Sequence, residues 1–212
     1  MVVAPTAINT GIGGLLMTAL TEEYGEPLRW SRALDISRGK LSEWSSKFAE
    51  RHGEIVLAIP RPGDCALLHT KDFYPKGAFR LPSGGIELGE RVEDAARREI
   101  REETGFDVAL ARLLGIIEYE LCNVDEDKRI AFVSYVWLTG ESCAPPCARD
   151  ASERISAFRE VEWHELARIA DELENLPDDW RDWGRFRAFA HQLIYDLRFQ
   201  IYDFLNSGQL KS

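Results

Sequence analysis

The sequence predicts an α/β fold, and three observations carry that expectation. β-Branched apolar runs recur at residues 54–59, 65–70 and 129–139. Segments with helical spacing lie between and beyond them. A glycine-rich turn at residues 84–85 leads straight into an acid-rich helical stretch. With 212 residues and 45% apolar content, the chain can bury one substantial core with additions at its ends. There are no internal repeats.

The elements follow in order. Residues 1–52 read as an N-terminal extension, with the first twenty residues expected to be poorly ordered. Leu41, Trp44 and Phe48 keep helical spacing and predict one helix packed on the core. Residues 54–59 and 65–70 predict a hairpin, with Pro62-Gly63 in the turn as a type II geometry prefers. Residues 78–81 read as a short strand entering the glycine turn. After the acidic helix, residues 108–121 predict a long strand broken near Leu113-Leu114-Gly115, and residues 129–139 a central strand. Asn123–Lys128 is a polar hairpin loop, and residues 141–151, with two prolines, an irregular one. A last strand at 160–163 and a helix at 164–173 close the main domain, residues 53–175. From Trp183 to Leu205 the apolar residues keep helical spacing, so residues 176–212 hold a long amphipathic helix. Its stripe needs a covering surface: the N-terminal helix around Trp44 and Phe48, or a second subunit. The expectation leans to a homodimer.

The net charge of −10 argues against a large nucleic-acid footprint. It leaves room for a small anionic, nucleotide-type substrate, because a metal ion supplies local positive charge. No apolar run is long enough to span a membrane. The N-terminus has no basic residue before its apolar part and is interrupted by Pro5 and three glycines, unlike a secretory signal. Cys143 and Cys147 bracket Ala-Pro-Pro but have no second ligand pair. The four cysteines therefore read as unpaired loop thiols in a reducing compartment, and the expected location is the cytoplasm.

The chemistry concentrates between Gly84 and Phe106. Residues 92–104 predict a helix, with Glu93 and Asp94 in its first turn and Gly105 past its last. Glu99, Glu102 and Glu103 then stand at i, i+3 and i+4 on one face, beside an apolar stripe of Val92, Ala96 and Ile100. Carboxylates so close repel, and more strongly as water is excluded. A hard divalent cation, Mg²⁺ or Mn²⁺, relieves that repulsion and suits oxygen ligands. A bare acidic and basic helix is usually just solvated. The spaced Gly84 and Glu90 and the apolar stripe weigh toward a metal site.

Every fixed position of G-x5-E-x7-R-E-U-x-E-E-x-G-U, with U a bulky apolar residue, is present from Gly84 through Glu90, Arg98-Glu99-Ile100, Glu102-Glu103 and Gly105-Phe106. In this the chain resembles the Nudix hydrolases. The resemblance covers roughly residues 53–175 and implies an α/β/α sandwich around a mixed sheet, with extra helices at both ends. It implies Mg²⁺-dependent attack of water on one phosphorus of a nucleoside diphosphate linked to another moiety. By position, Glu99, Glu102 and Glu103 are the expected metal ligands, with the Gly84 carbonyl. Arg98 orients the cluster and Glu90 lies behind it. The general base is Glu99 or an acid from a facing loop, for which Glu153 is the candidate. Glu118 and Glu120 are rivals, each better read as an exposed strand residue. Arg80 is a candidate phosphate contact. Lys71 and Lys76 read more readily as solvated, and Phe73 and Tyr74 as packing aromatics or base-stacking groups. The rival readings are a catalytically inactive Nudix-like binding domain and an RNA 5′-pyrophosphohydrolase. Retention of all the box acids counts against the first, and the acidic balance against the second.

Overall fold

The computed structural model describes residues 11–123, 125 and 128–207, with side chains from residue 17 onward. The elements are helix α1 (Gly11–Tyr24), strand β1 (Leu28–Asp35), helix α2 (Lys40–Ala49), and strands β2 (Arg51–Ala58), β3 (Pro60–Arg61), β4 (Cys65–Lys71) and β5 (Ser83–Glu87). Helix α3 (Val92–Glu99), strands β6 (Leu110–Asn123), β7 (Lys128–Thr139) and β8 (Ile155–Glu162), and helices α4 (Leu166–Glu174) and α5 (Asp178–Asn206) follow. A mixed sheet in the order β1-β6-β7-β2-β5 forms the centre, and β3-β4-β8 make a second, antiparallel sheet. β7 lies in the middle of the main sheet, as its run of β-branched and aromatic residues predicts.

The alternation of side chains along the central strands feeds two cores. Ile55 and Leu57 face one, with Val92, Ala95, Ala96 and Ile100 of the acidic helix and Leu20 of α1. Val56 and Ala58 face the other, with Leu41 and Trp44 of α2, Ile169 of α4, and Phe186, Leu193 and Ile194 of α5. Helices thus cover both faces of the mixed sheet. β6 is a single strand, and the predicted break is a bulge: its register against β7 shifts between Leu113 and Gly115. The extra residue re-phases the strand, so that Leu114 and Ile116, two residues apart, face different cores.

Several expectations need correction. The expected disorder of residues 1–10 lies outside the described residues, but residues 11–24 are helical. The extension also contributes β1, which pairs in parallel with β6 and belongs to the main sheet. The predicted hairpin is split between two sheets: the turn joins β3 to β4, while β2 pairs with β5 and β7. Residues 78–81 form no strand, only a single bridge between Arg80 and His69. The strand is instead Ser83–Glu87, the segment read as a glycine turn. Cys65 and Cys122 lie on strands; all four cysteines are free thiols.

The apolar stripe of α5 finds its partners within the chain. Phe186 stands 5.5 Å from Trp44 and 4.6 Å from Tyr119 by ring centroids. The need for a second subunit to cover that stripe is removed. At its start Asp182 accepts from the Ser37 backbone N–H at 2.9 Å and from the Ser37 hydroxyl, which ties α5 to the β1–α2 connection. No helix among the described residues is long and apolar enough to cross a membrane.

His191 anchors α5 to the loop before β5. Its Nδ1 faces the Arg187 carbonyl at 2.9 Å and its Nε2 accepts from the Leu81 backbone N–H at 3.1 Å. The ring is therefore neutral with its proton on Nδ1, and burial pulls its pKa down to about 4. A histidine depressed on folding takes up its proton first in the unfolded chain. The stability tied to the neutral ring is complete above about pH 6.5 and is lost as the pH falls from there to about 4, a loss of roughly 3 kcal/mol. His191→Gln keeps an acceptor for Leu81 and removes the titration. Urea unfolding at pH 7 and pH 5 should show a smaller acid loss in the variant, and equal losses would exclude His191 as a source of it.

Candidate active site

The acidic segment is helical, but not uniformly. α3 gives way at Ile100 to a π turn, Ile100–Thr104, which ends at Gly105 in the left-handed conformation with φ 74°. The wider turn changes which acids face inward. Glu99 and Glu103 are buried, whereas the Glu102 side chain is 35% exposed. Glycine at position 84 is required for this arrangement. A Cβ there would lie 1.8 Å from the Glu99 carboxyl carbon, so the carboxyl occupies the space that a side chain on β5 would fill.

Arg98 organises the outer half of the cluster. It donates from Nε and Nη2 to the two Glu90 oxygens at 2.8 and 2.9 Å, and to the Gly85 carbonyl at 2.8 Å. Its Nη1 donates to Glu99 at 2.7 Å and Glu102 at 3.1 Å. Glu90 is thus the forked partner that holds Arg98 in place. On the inner side Glu103 accepts from the Ser83 backbone N–H at 2.8 Å. Arg80 and Lys71 each lie 3.5 Å from its other oxygen. Lys71 also donates to Glu153 at 2.5 Å.

Burial, then the neighbouring Glu103 charge, pushes the Glu99 carboxyl up to about 7, against the opposing pull of Arg98. Burial likewise raises Glu103, with Arg80 and Lys71 opposing. His69 lies 3.6 Å from Glu103, but burial drives its pKa well down, so the contact is with a neutral ring rather than an ion pair.

The donors are all oxygen, the set a hard cation prefers, and two buried acids are held under mutual repulsion. In chemical type they fit Mg²⁺. They are not gathered at a single point: among the described residues no three His, Cys, Asp or Glu side chains converge as a ligand set. Arg98, Lys71 and Arg80 neutralise the acids instead.

The remaining sequence candidates separate cleanly. Glu153 lines the same cleft as Gly84 and Glu99. Arg80 also borders it, but is only 3% exposed and donates to Tyr74 Oη, the Leu81 carbonyl and Ser83 Oγ. Its guanidinium is committed to the protein, so it supports Glu103 rather than offering a free phosphate contact. Lys76 is exposed, as read. Lys71, read as solvated, is instead tied to two acids of the site. Glu118 is exposed and Glu120 half-buried, and they pair with Arg29 and Arg129. The sequence reading missed Glu54 and Arg187, whose carboxylate and guanidinium meet at 2.7 Å beside Ser83.

Residues 51–184 match the NUDIX domain model. The chain belongs to the Nudix hydrolase family. It is 30% identical over 125 residues to the ADP-ribose pyrophosphatase of Methanocaldococcus jannaschii, covering 59% of this chain and 70% of that protein. It is 45% identical over 49 residues to the nucleoside triphosphatase NudI of Escherichia fergusonii, covering 23% of this chain and only 34% of that one. A MutT NUDIX hydrolase structure from Burkholderia pseudomallei is similar at TM-score 0.43 and 24% identity, over 68% of this chain and 97% of that one. The chain is accordingly a Nudix hydrolase enzyme, and pyrophosphate hydrolysis is its general activity. Nudix hydrolases generally use divalent metal ions such as Mg²⁺.

Proposed function

We propose that this Nudix hydrolase cleaves the diphosphate linkage of a nucleoside diphosphate joined to another moiety, with Mg²⁺ held by Glu99, Glu102, Glu103 and the Gly84 carbonyl. The observation that carries this reading is a cleft of about 510 Å³ whose lining includes Gly84, Glu99 and Glu153. That volume suits a substrate of nucleotide-conjugate size. The likeness to an enzyme named ADP-ribose pyrophosphatase makes ADP-ribose the first compound to try.

The bound cation supplies polarisation of the phosphate oxygens and acidification of water. The protein supplies the rest. Arg98 fixes the Glu99 and Glu102 carboxylates and, being clamped by Glu90, keeps them from swinging apart. Arg80 and the Ser83 N–H hold Glu103. Glu99 and Glu153 are the two acids placed to accept a proton from attacking water, Glu153 with Lys71 at its side. Arg51, exposed at the cleft border, is available to a substrate phosphate.

The test is turnover of ADP-ribose, a sugar nucleotide, a dinucleoside polyphosphate, a nucleoside triphosphate and 5′-triphosphate RNA, each with Mg²⁺ or with chelator. Mg²⁺-dependent cleavage of at least one small nucleotide, and none of RNA, is expected. Mg²⁺ should also raise the melting temperature by mass action, and less so in Glu103→Gln. Cleavage of RNA alone, or activity unaffected by chelator, would overturn the proposal.

A further inference from the structure

The cleft is also lined by segments that the signature does not include. Phe73 and Tyr74 come from the loop after β4, and Trp180 and Trp183 from the first two turns of α5; all four line the cleft. The rings pack mainly edge to face: Tyr74 is 4.7 Å from Trp183 and 5.7 Å from Trp180, and Trp180 is 5.3 Å from Trp183. Phe73 and Trp180 differ. Their planes are only 32° apart and their centroids 6.4 Å apart. A flat ring held between two others needs about 7 Å, twice a contact of roughly 3.5 Å, so the Phe73 ring moves outward by a fraction of that contact to admit one. Phe73 is also 45% exposed, although Tyr74 and Trp180 lie against it, so it can move outward at little cost. Its position is braced by Arg154, whose guanidinium lies 4.8 Å from the ring centroid and pairs with Asp72.

We propose that Phe73 and Trp180, backed by Tyr74 and Trp183, form a stacking subsite for a nucleobase, so that the substrate lies with its base against α5 and its diphosphate at the acidic helix. This rests on the reading of the cleft as a nucleotide site and names the group that selects the substrate. The base is recognised by π-faces, which accept any nucleobase, with preference set by stacking area rather than by hydrogen bonding. Base preference is thus set outside the acidic signature, by the loop after β4 and the start of α5, and the acids come from the signature itself.

The experiment compares ligands that differ only in the base. AMP, GMP and UMP are titrated against ribose 5-phosphate into the full chain, without added metal, by calorimetry and by tryptophan fluorescence. At least one mononucleotide should bind about tenfold or more tightly than ribose 5-phosphate and quench the fluorescence, as stacking predicts. Trp180→Ala should lose about tenfold for that mononucleotide and leave ribose 5-phosphate unchanged, and Trp180→Phe should restore most of it. Phe73→Ala, at an exposed ring, repeats the test without disturbing the core. In turnover of any nucleotide the enzyme cleaves, the alanine variants should raise KM with kcat little changed. If none of the three mononucleotides outbinds ribose 5-phosphate, or if the variants weaken all ligands alike, the subsite is wrong even where hydrolysis is found. Base-dependent binding without cleavage of any diphosphate would instead leave the subsite standing and remove the proposed reaction.

Discussion

Glu99→Gln is expected to lower kcat by roughly a thousandfold at saturating Mg²⁺, within the range for loss of a group that handles protons or holds the ion. Its fold should persist. The Glu99 carboxyl is raised to about 7 by burial, so above that pH its charge opposes folding and a neutral amide does not. The melting temperature should therefore stay within a few degrees of wild type or rise. Gly84→Ala supplies the geometric counterpart. The new Cβ meets the movable end of Glu99 rather than backbone, with the carboxyl atoms 1.8 to 2.1 Å away. The side chain yields, the strand stays, and the carboxyl is displaced. A displacement of that size should cost about a hundredfold in turnover with little change in melting. Glu99→Gln enzyme with near wild-type kcat would remove Glu99 from the site. A fully active Gly84→Ala would mean that its position in the cleft is immaterial.

The box was legible in the sequence because its information is local. Nine residues in one window specify a glycine, an acidic face and a helix cap, and the stripe of Val92, Ala96 and Ile100 packs as read. The π turn was not legible, since Glu99, Glu102 and Glu103 have the same sequence spacing in either helix; the backbone from Ile100 to Thr104 reveals it. β5 was read as a turn because glycine carries no pattern: Gly84 and Gly85 sit in a strand so that Glu99 and Arg51 can pass close to its backbone. β1 was missed for a different reason. It lies at the sheet edge, only Leu34 is buried along it, and its charged residues mask the alternation. Lys71 with Glu153, and Arg187 with Glu54, are separated by 82 and 133 residues, beyond any local spacing rule. Trp180 belongs to the same class, since its partners Phe73 and Tyr74 lie on a distant loop.

Arg187→Met is expected to have the largest effect on stability outside the apolar core. Arg187 Nη1 donates to Glu54 Oε2 at 2.7 Å and contacts Ser83 Oγ at 2.9 Å. The Ser134 hydroxyl donates to the other Glu54 oxygen at 2.7 Å. The Glu54 side chain is 6% exposed, so removing the guanidinium leaves a carboxylate with one neutral donor and almost no water. Breaking such a pair from one side costs about 3 kcal/mol, the low end of the usual range because Arg187 itself is 19% exposed. For a chain of this size that is a fall of roughly 10 °C in melting temperature. Methionine keeps much of the aliphatic volume, so the loss reports the charge rather than a cavity. The effect should also reach the chemistry. Ser83 donates its N–H to Glu103, and its Oγ accepts from Arg80 and Arg187, so a loosened Ser83 releases one of the constraints on a buried acid of the site. A drop of about tenfold in kcat should accompany the thermal loss. The decisive measurement is a double-mutant cycle with Glu54→Gln. If the pair is coupled as its geometry indicates, the double variant melts higher than Arg187→Met alone, because the stranded charge is gone. Additive losses would show that Arg187 acts through packing and that α5 holds the loop before Gly84 by other contacts, His191 foremost.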